Sequence, residues 1–323
     1  MALVKTREYE MNSLRRSLCI ASAISFVSSK LAFAQEKLVY ENWTQSQLND
    51  QISQAPYIGD IKPILQNYVT LGTAARQEFP PKTLNYGSGA DENLDAYIPQ
   101  GAKDLPIMIF IHGGAWENGT NKYYGALAPT FIKANAIFIA INFTNIPPNT
   151  IPGMAKQCRE AIKWVWKNAR SLGGNPNKLY VSGHSSGGHL ANVMLTTQWS
   201  KEGVPSDVLK GGLIMSGWTD LYPISLSDRQ TYLKLDKKII AEYSPIHHLD
   251  KVRVPVIVSW GALESPYMQQ QSAAWAQKLQ SVAKLAGVYK VAGTSHYEMP
   301  NQLCSSDTSI AKATLAMMDL IGF

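Results

Sequence analysis

From about residue 83, short apolar runs alternate with segments in which apolar residues recur every three or four positions. Asn93-Leu94-Asp95-Ala96-Tyr97-Ile98 reads as a strand. Pro106–Ile111 and Ala136–Ile141 are almost continuously apolar, as central strands of a parallel sheet must be when both faces are covered. Lys178–Val181, Leu213–Met215, Val254–Trp260 and Gly287–Val291 add further strands. Met154, Cys158, Ala161, Ile162, Val165, Ala169 and Leu172 fall on one helical face, and Ser272–Val282 and Ile310–Ile321 repeat that spacing. Strands alternating with helices predict an α/β fold with a doubly wound, mostly parallel sheet.

Two stretches break this rhythm. Residues 35–82 are polar and mixed, and predict an N-terminal extension of two or three short helices packed over the body. Tyr222–Asp250 is rich in charge and aromatics, and predicts a small cap-like insertion (222–250) over the site of a main domain at 83–323.

Residues 1–34 read as a signal peptide. Arg15-Arg16 is a basic start, Leu18–Val27 a short apolar core, and Ala32-Phe33-Ala34 a cleavage site. The apolar run is too short for a stable membrane anchor. Met11 would give a signal of conventional shape. Lys30 sits near the cleavage region and leaves an uncleaved signal open, and the arginine pair hints at twin-arginine export. The expectation is export to the periplasm or the extracellular space.

Composition is that of a folded globular chain, with 45% hydrophobic and 17% charged residues. Its formal charge of +6 falls to +3 without residues 1–34, which hold five basic and two acidic side chains. No dense basic cluster remains, so a nucleic-acid partner is not expected. Cys158 lies on an apolar helical face and reads as a buried free thiol, while export leaves a Cys158–Cys304 bridge open.

The chemistry centres on Gly183-His184-Ser185-Ser186-Gly187, a G-x-S-x-G motif between an apolar strand and a helical pattern. A serine hydroxyl becomes a useful nucleophile when it is exposed, bonded to a base and held near oxyanion donors. In this motif's usual chain order, an acid and then a histidine follow the serine. His296, after the last strand, is the candidate base. Glu264, after the strand before it, is the candidate acid; Asp250 is the alternative but precedes that strand, and Asp307 follows the histidine. His112-Gly113-Gly114 follows a buried strand. The amides of Gly113, Gly114 and Ser186 are therefore the candidate oxyanion hole.

The remaining histidines read as structural. His112 holds its loop, His184 is packed or loop-bonding, His189 faces its helix, and His247-His248 is a surface pair. No metal site is expected, since His184 and His189 lack a third ligand at suitable spacing. Trp116, Trp218, Tyr222 and Tyr297, near strand ends, are candidates for a substrate pocket.

Together, His112-Gly113-Gly114-Ala115-Trp116, Gly183–Ala191, Ser216–Pro223, Tyr243-Ser244-Pro245 and Glu264–Ser272 resemble the arylformamidase (kynurenine formamidase) family and its esterase relatives. The resemblance covers roughly residues 60 to 300. It implies an α/β-hydrolase fold and a serine hydrolase without cofactor, acting on a formamide or a small aryl or acyl ester. A general carboxylesterase is the nearer alternative, and a non-catalytic binding protein of the same fold the more distant one. The chain departs from the family's pattern in having Ala115 for a tyrosine and Glu264 for an aspartate. The smaller Ala115 widens the acyl side of the pocket, and the longer glutamate is chemically competent.

Overall fold

Alternation within single strands sorts the core into two halves. In β5 (Leu105–Ile111) the side chains of Ile107, Ile109 and Ile111 enter one hydrophobic core, and those of Met108 and Phe110 the other. β6 (Ile137–Ile141) repeats the division, with Ile137, Ile139 and Ile141 on one side and Phe138 and Ala140 on the other. This is the two-residue period of a pleated strand buried on both faces.

The computed structural model describes residues 37–320. The proposed signal peptide at 1–34 lies outside the described residues, while the closing helix expected over 310–321 runs only Ser309–Met317, and Ile321 lies outside them as well. From Leu38 onward the chain is one unit. β3 (Lys82–Asn85), β4 (Asn93–Tyr97), β5, β6, β7 (Gly174–His184), β8 (Leu209–Met215), β9 (Val256–Gly261) and β10 (Leu285–Val291) form one eight-stranded sheet. Its order is β10-β9-β8-β7-β5-β6-β4-β3. All pairings are parallel except β6–β4 and β4–β3. The sequence reading of a doubly wound, mostly parallel sheet therefore holds.

Helices cover both faces. α4 (Ile151–Asn168) starts at Thr150, whose hydroxyl accepts from the Gly153 amide, and buries Ile151, Met154, Ala155, Cys158, Ala161, Ile162 and Val165. Those positions are spaced three or four apart, and burying each large aliphatic side chain is worth about 2 kcal/mol. α5 (Ser186–Leu195) and α9 (Pro266–Ser281) share that core; α3 (Ala128–Lys133) and α10 (Ser309–Met317) pack against the other. Cys158 is buried and Cys304 partly buried, and both are free thiols, so the bridge left open by the sequence is not formed.

The extension holds a two-stranded ribbon, β1 (Leu38–Tyr40) with β2 (Trp43–Thr44), then α1 (Gln45–Ser53) and α2 (Lys62–Glu78). α2 has 17 residues and is not short. Between residues 222 and 250 lie α6 (Tyr222–Ser225), α7 (Gln230–Leu233) and α8 (Lys237–Tyr243), followed by two single turns.

Candidate active site

β7 runs into α5 through one residue, Ser185, held at φ 56° and ψ −122°. Such a backbone is uncommon for a residue with a β-carbon, and it turns the hydroxyl out of the sheet's edge. Close packing fixes the turn. A β-carbon on Gly187 would lie 2.2 Å from the Ile111 carbonyl oxygen and 2.3 Å from that of His112. The Ser185 amide donates to the Met215 carbonyl (3.0 Å), tying the elbow to the end of β8.

His296 arrives from the far side. It follows β10 and opens an eight-residue 3₁₀ segment (His296–Leu303) capped by Ser295, whose amide and hydroxyl both donate to the Glu298 carboxylate. His296 Nε2 lies 2.9 Å from Ser185 Oγ. Its Nδ1 faces Glu264 Oε1 at 3.5 Å. Glu264 is 2% exposed, and the same Oε1 accepts from Ser216 Oγ and from the Gly261 amide (3.2 Å). The three residues expected to act together are therefore brought together. Asp250 and Asp307, the other acids considered, are exposed.

The extension holds Glu264's loop in place. Ser265, the cap of α9, donates its amide to Gln54 Oε1 (2.9 Å), and Gln54 Nε2 donates to Ser265 Oγ (2.7 Å). The Tyr267 amide donates to Gln51 Oε1 at 3.0 Å. Gln54 is 1% exposed, so Gln54→Ala strands buried donors and acceptors. It should destabilise the fold by about 2 kcal/mol, read as a lower urea midpoint with an unchanged denaturant slope.

Gly113 and Gly114 follow β5 beside the elbow. A β-carbon on Gly113 would sit 2.8 Å from the His184 carbonyl oxygen and 3.3 Å from the Ser185 β-carbon, so only glycine lets the loop approach the serine. The Gly113 amide donates to the phenol oxygen of Tyr124 at 3.3 Å. Among the described residues, the amides of Gly114 and Ser186 have no acceptor. Burial pushes the Tyr124 phenol up to about 12, which keeps it protonated.

A cavity of about 390 Å³ opens onto these groups. Ser185, His296, Gly113, Gly114 and Ala115 line its floor; Ile61, Leu65, Tyr68 and Val69 of α2 and its lead-in form an apolar wall. Of the four expected pocket aromatics, only Tyr297 lines it. Trp116 and Trp218 are each 1% exposed and belong to the core, while Tyr222 is half exposed and packs edge-on against Tyr40. Trp116 turns inward because its backbone has φ 63°, and its indole N–H donates to His189 Nδ1 (3.2 Å). Of the 222–250 stretch only Arg229 reaches the lining. The sequence reading missed Arg229, Tyr124 and the α2 wall. The spacing Ile61, Leu65, Val69 was the one available signal for that wall.

The other buried histidines are held neutral. His184 Nε2–H donates to the His296 carbonyl (2.8 Å), His189 Nε2–H to that of Tyr243 (2.7 Å), and His112 Nδ1–H to that of Gly113 (2.9 Å). Burial pulls His112 and His189 down from 6.5 to about 4, and His184 well below its usual value. An unfolded chain takes up these protons near pH 6.5 and the native one does not, so stability is full above that pH and falls as pH drops toward 4. His112 and His189 should each cost roughly 3 kcal/mol across that window. Thermal melts from pH 8 to 4 should show this decline, shallower in His189→Gln.

The mostly parallel sheet, with a strand–Ser185–helix elbow at its carboxyl edge, defines an α/β-hydrolase. The family model described as BD-FAE matches residues 94–211. A kynurenine formamidase of Danio rerio is 28% identical over 239 residues, covering 72% of this chain and 80% of that protein. The isoprenylcysteine alpha-carbonyl methylesterase ICME of Arabidopsis thaliana is 25% identical, over 68% of this chain and 56% of its own. The structure of EstE1, a thermophilic carboxylesterase from a metagenomic library, superposes with a TM-score of 0.64 at 17% identity, over 81% of this chain and 96% of that one. The protein is a hydrolase with the α/β-hydrolase fold, and its sequence is similar to kynurenine formamidases and carboxylesterases.

Proposed function

We propose that the protein is a serine hydrolase that cleaves a small ester or formamide through an acyl-enzyme. Ser185 attacks the carbonyl carbon while His296 Nε2 takes its proton. The amides of Gly114 and Ser186, and that of Gly113 once released by Tyr124, hold the oxyanion; one such donor is worth about 3 kcal/mol. His296 then gives the proton to the departing alcohol or amine, and water, activated by the same imidazole, frees the acyl group. Glu264 keeps the Nδ1 proton on its own side and stabilises the imidazolium, which draws the 3.5 Å separation closer as charge develops.

The observation that carries this reading is the 2.9 Å contact of Ser185 Oγ with His296 Nε2 at the floor of the cavity. The apolar wall of Leu65 and Val69 suits an aryl or short alkyl group, and the similarity to kynurenine formamidase favours an aryl formamide. A general esterase remains the second reading, favoured by Ala115 in the lining, which leaves space on the acyl side. Residues 1–34 are part of the proposal as an export signal, to be checked by fractionation and N-terminal sequencing. Purified protein should hydrolyse both N-formylkynurenine and 4-nitrophenyl acetate, with the ratio of their kcat/KM values deciding between the two readings. Turnover of neither would overturn the function.

A further inference from the structure

Arg229 is set in the wall of the cavity without an anionic partner. Its Nη2 donates to the Ile52 carbonyl at 3.1 Å, and its guanidinium carbon lies 5.8 Å from the centroid of the Trp116 ring. Part of the side chain is exposed, but Nη1 is buried and has no hydrogen-bond partner. Among the described residues, no carboxylate oxygen lies within 4.0 Å of it. The neighbouring acid, Glu117, is exposed and acts on it only through space.

A guanidinium stays charged under all ordinary conditions, and five donors in a fixed fork match a carboxylate's two oxygens. Leaving one of its nitrogens buried and unpaired is unfavourable unless an arriving anion satisfies it. Among the described residues that line the cavity, Arg229 is the only Lys, Arg, Asp or Glu, so the positive charge is concentrated at one point.

We propose that Arg229 is an anion subsite, binding a carboxylate carried by the substrate while Ser185 reaches the scissile carbonyl of the same molecule. The ligand class is a small aryl or alkyl acid whose ester or formamide lies at the other end. Only the placing of the scissile end rests on the serine-hydrolase reading; the carboxylate end rests on Arg229. A purely structural Arg229, tethering Ile52 to Trp116, would give the fold the same support without distinguishing an acid from its amide.

The test is calorimetric titration with 4-phenylbutyrate and 4-phenylbutyramide, with each variant's folding checked by a thermal melt. Wild-type protein should bind the acid at least tenfold more tightly than the amide. Arg229→Met should remove the difference, and Arg229→Lys, which keeps charge but not the fork, should retain a few-fold preference. Equal affinities in the wild type, or a full preference surviving in Arg229→Met, would overturn the subsite; should Arg229→Met not fold, the wild type and Arg229→Lys decide. Ser185→Ala should keep the acid preference while losing 4-nitrophenyl acetate hydrolysis. If that variant still hydrolyses the ester but keeps the preference, the serine-hydrolase reading fails and the subsite stands.

Discussion

Replacing Ser185 with alanine should lower kcat on 4-nitrophenyl acetate by about a million-fold while the unfolding midpoint stays essentially unchanged. The change removes one oxygen and keeps the β-carbon, so the strained elbow at φ 56° meets the same steric demands. That oxygen's side-chain hydrogen bond is to His296 Nε2, so no structural hydrogen bond of the core is lost with it. The small residual rate would come from the Gly114 and Ser186 amides and from binding alone. Steady-state kinetics beside a urea titration separate a lost nucleophile from a lost fold. Retained activity would remove Ser185 from the mechanism.

Glu264→Gln should cost about 10⁴ in kcat with KM little changed. The carboxylate oxygen facing His296 Nδ1 accepts hydrogen bonds from Ser216 and Gly261 and leaves His296 to supply a proton from its own side. A glutamine that turns its NH₂ toward Nδ1 favours the tautomer with the proton on Nε2, where the base must be free. It also removes the charge that steadies the imidazolium. Ser216→Ala, which loosens the same carboxylate without changing its charge, should cost far less. If Asp250→Asn proved as damaging as Glu264→Gln, the acid would be misassigned; its exposed position argues otherwise.

The sheet and the Ser185, Glu264 and His296 positions were legible in the sequence because each is encoded locally. Each lies just past the end of a strand whose apolar run is readable, and the glycines around Ser185 record a turn that tolerates no β-carbon. The pocket was not legible, because its walls come from segments distant in the chain. Leu65 and Val69 reach it from the extension and Arg229 from between α6 and α7. Trp116 shows the difficulty at one residue. Its place beside Gly113-Gly114 suggested substrate contact, yet its left-handed backbone sends the indole into the core against His189. Aromatic residues near strand ends serve core and pocket equally well, and hydropathy does not separate the two. The extension carries a further role that its polar composition concealed. Buried Gln51 and Gln54 are bonded to the loop that presents Glu264.

The central claim is that Ser185 is the activated nucleophile. The most direct measurement is reaction with a fluorophosphonate followed by peptide mass mapping. The account predicts one adduct per chain, on Ser185, formed rapidly by the wild type, slowly by His296→Ala and not at all by Ser185→Ala. An unlabelled wild type, or an adduct on another serine, would contradict it.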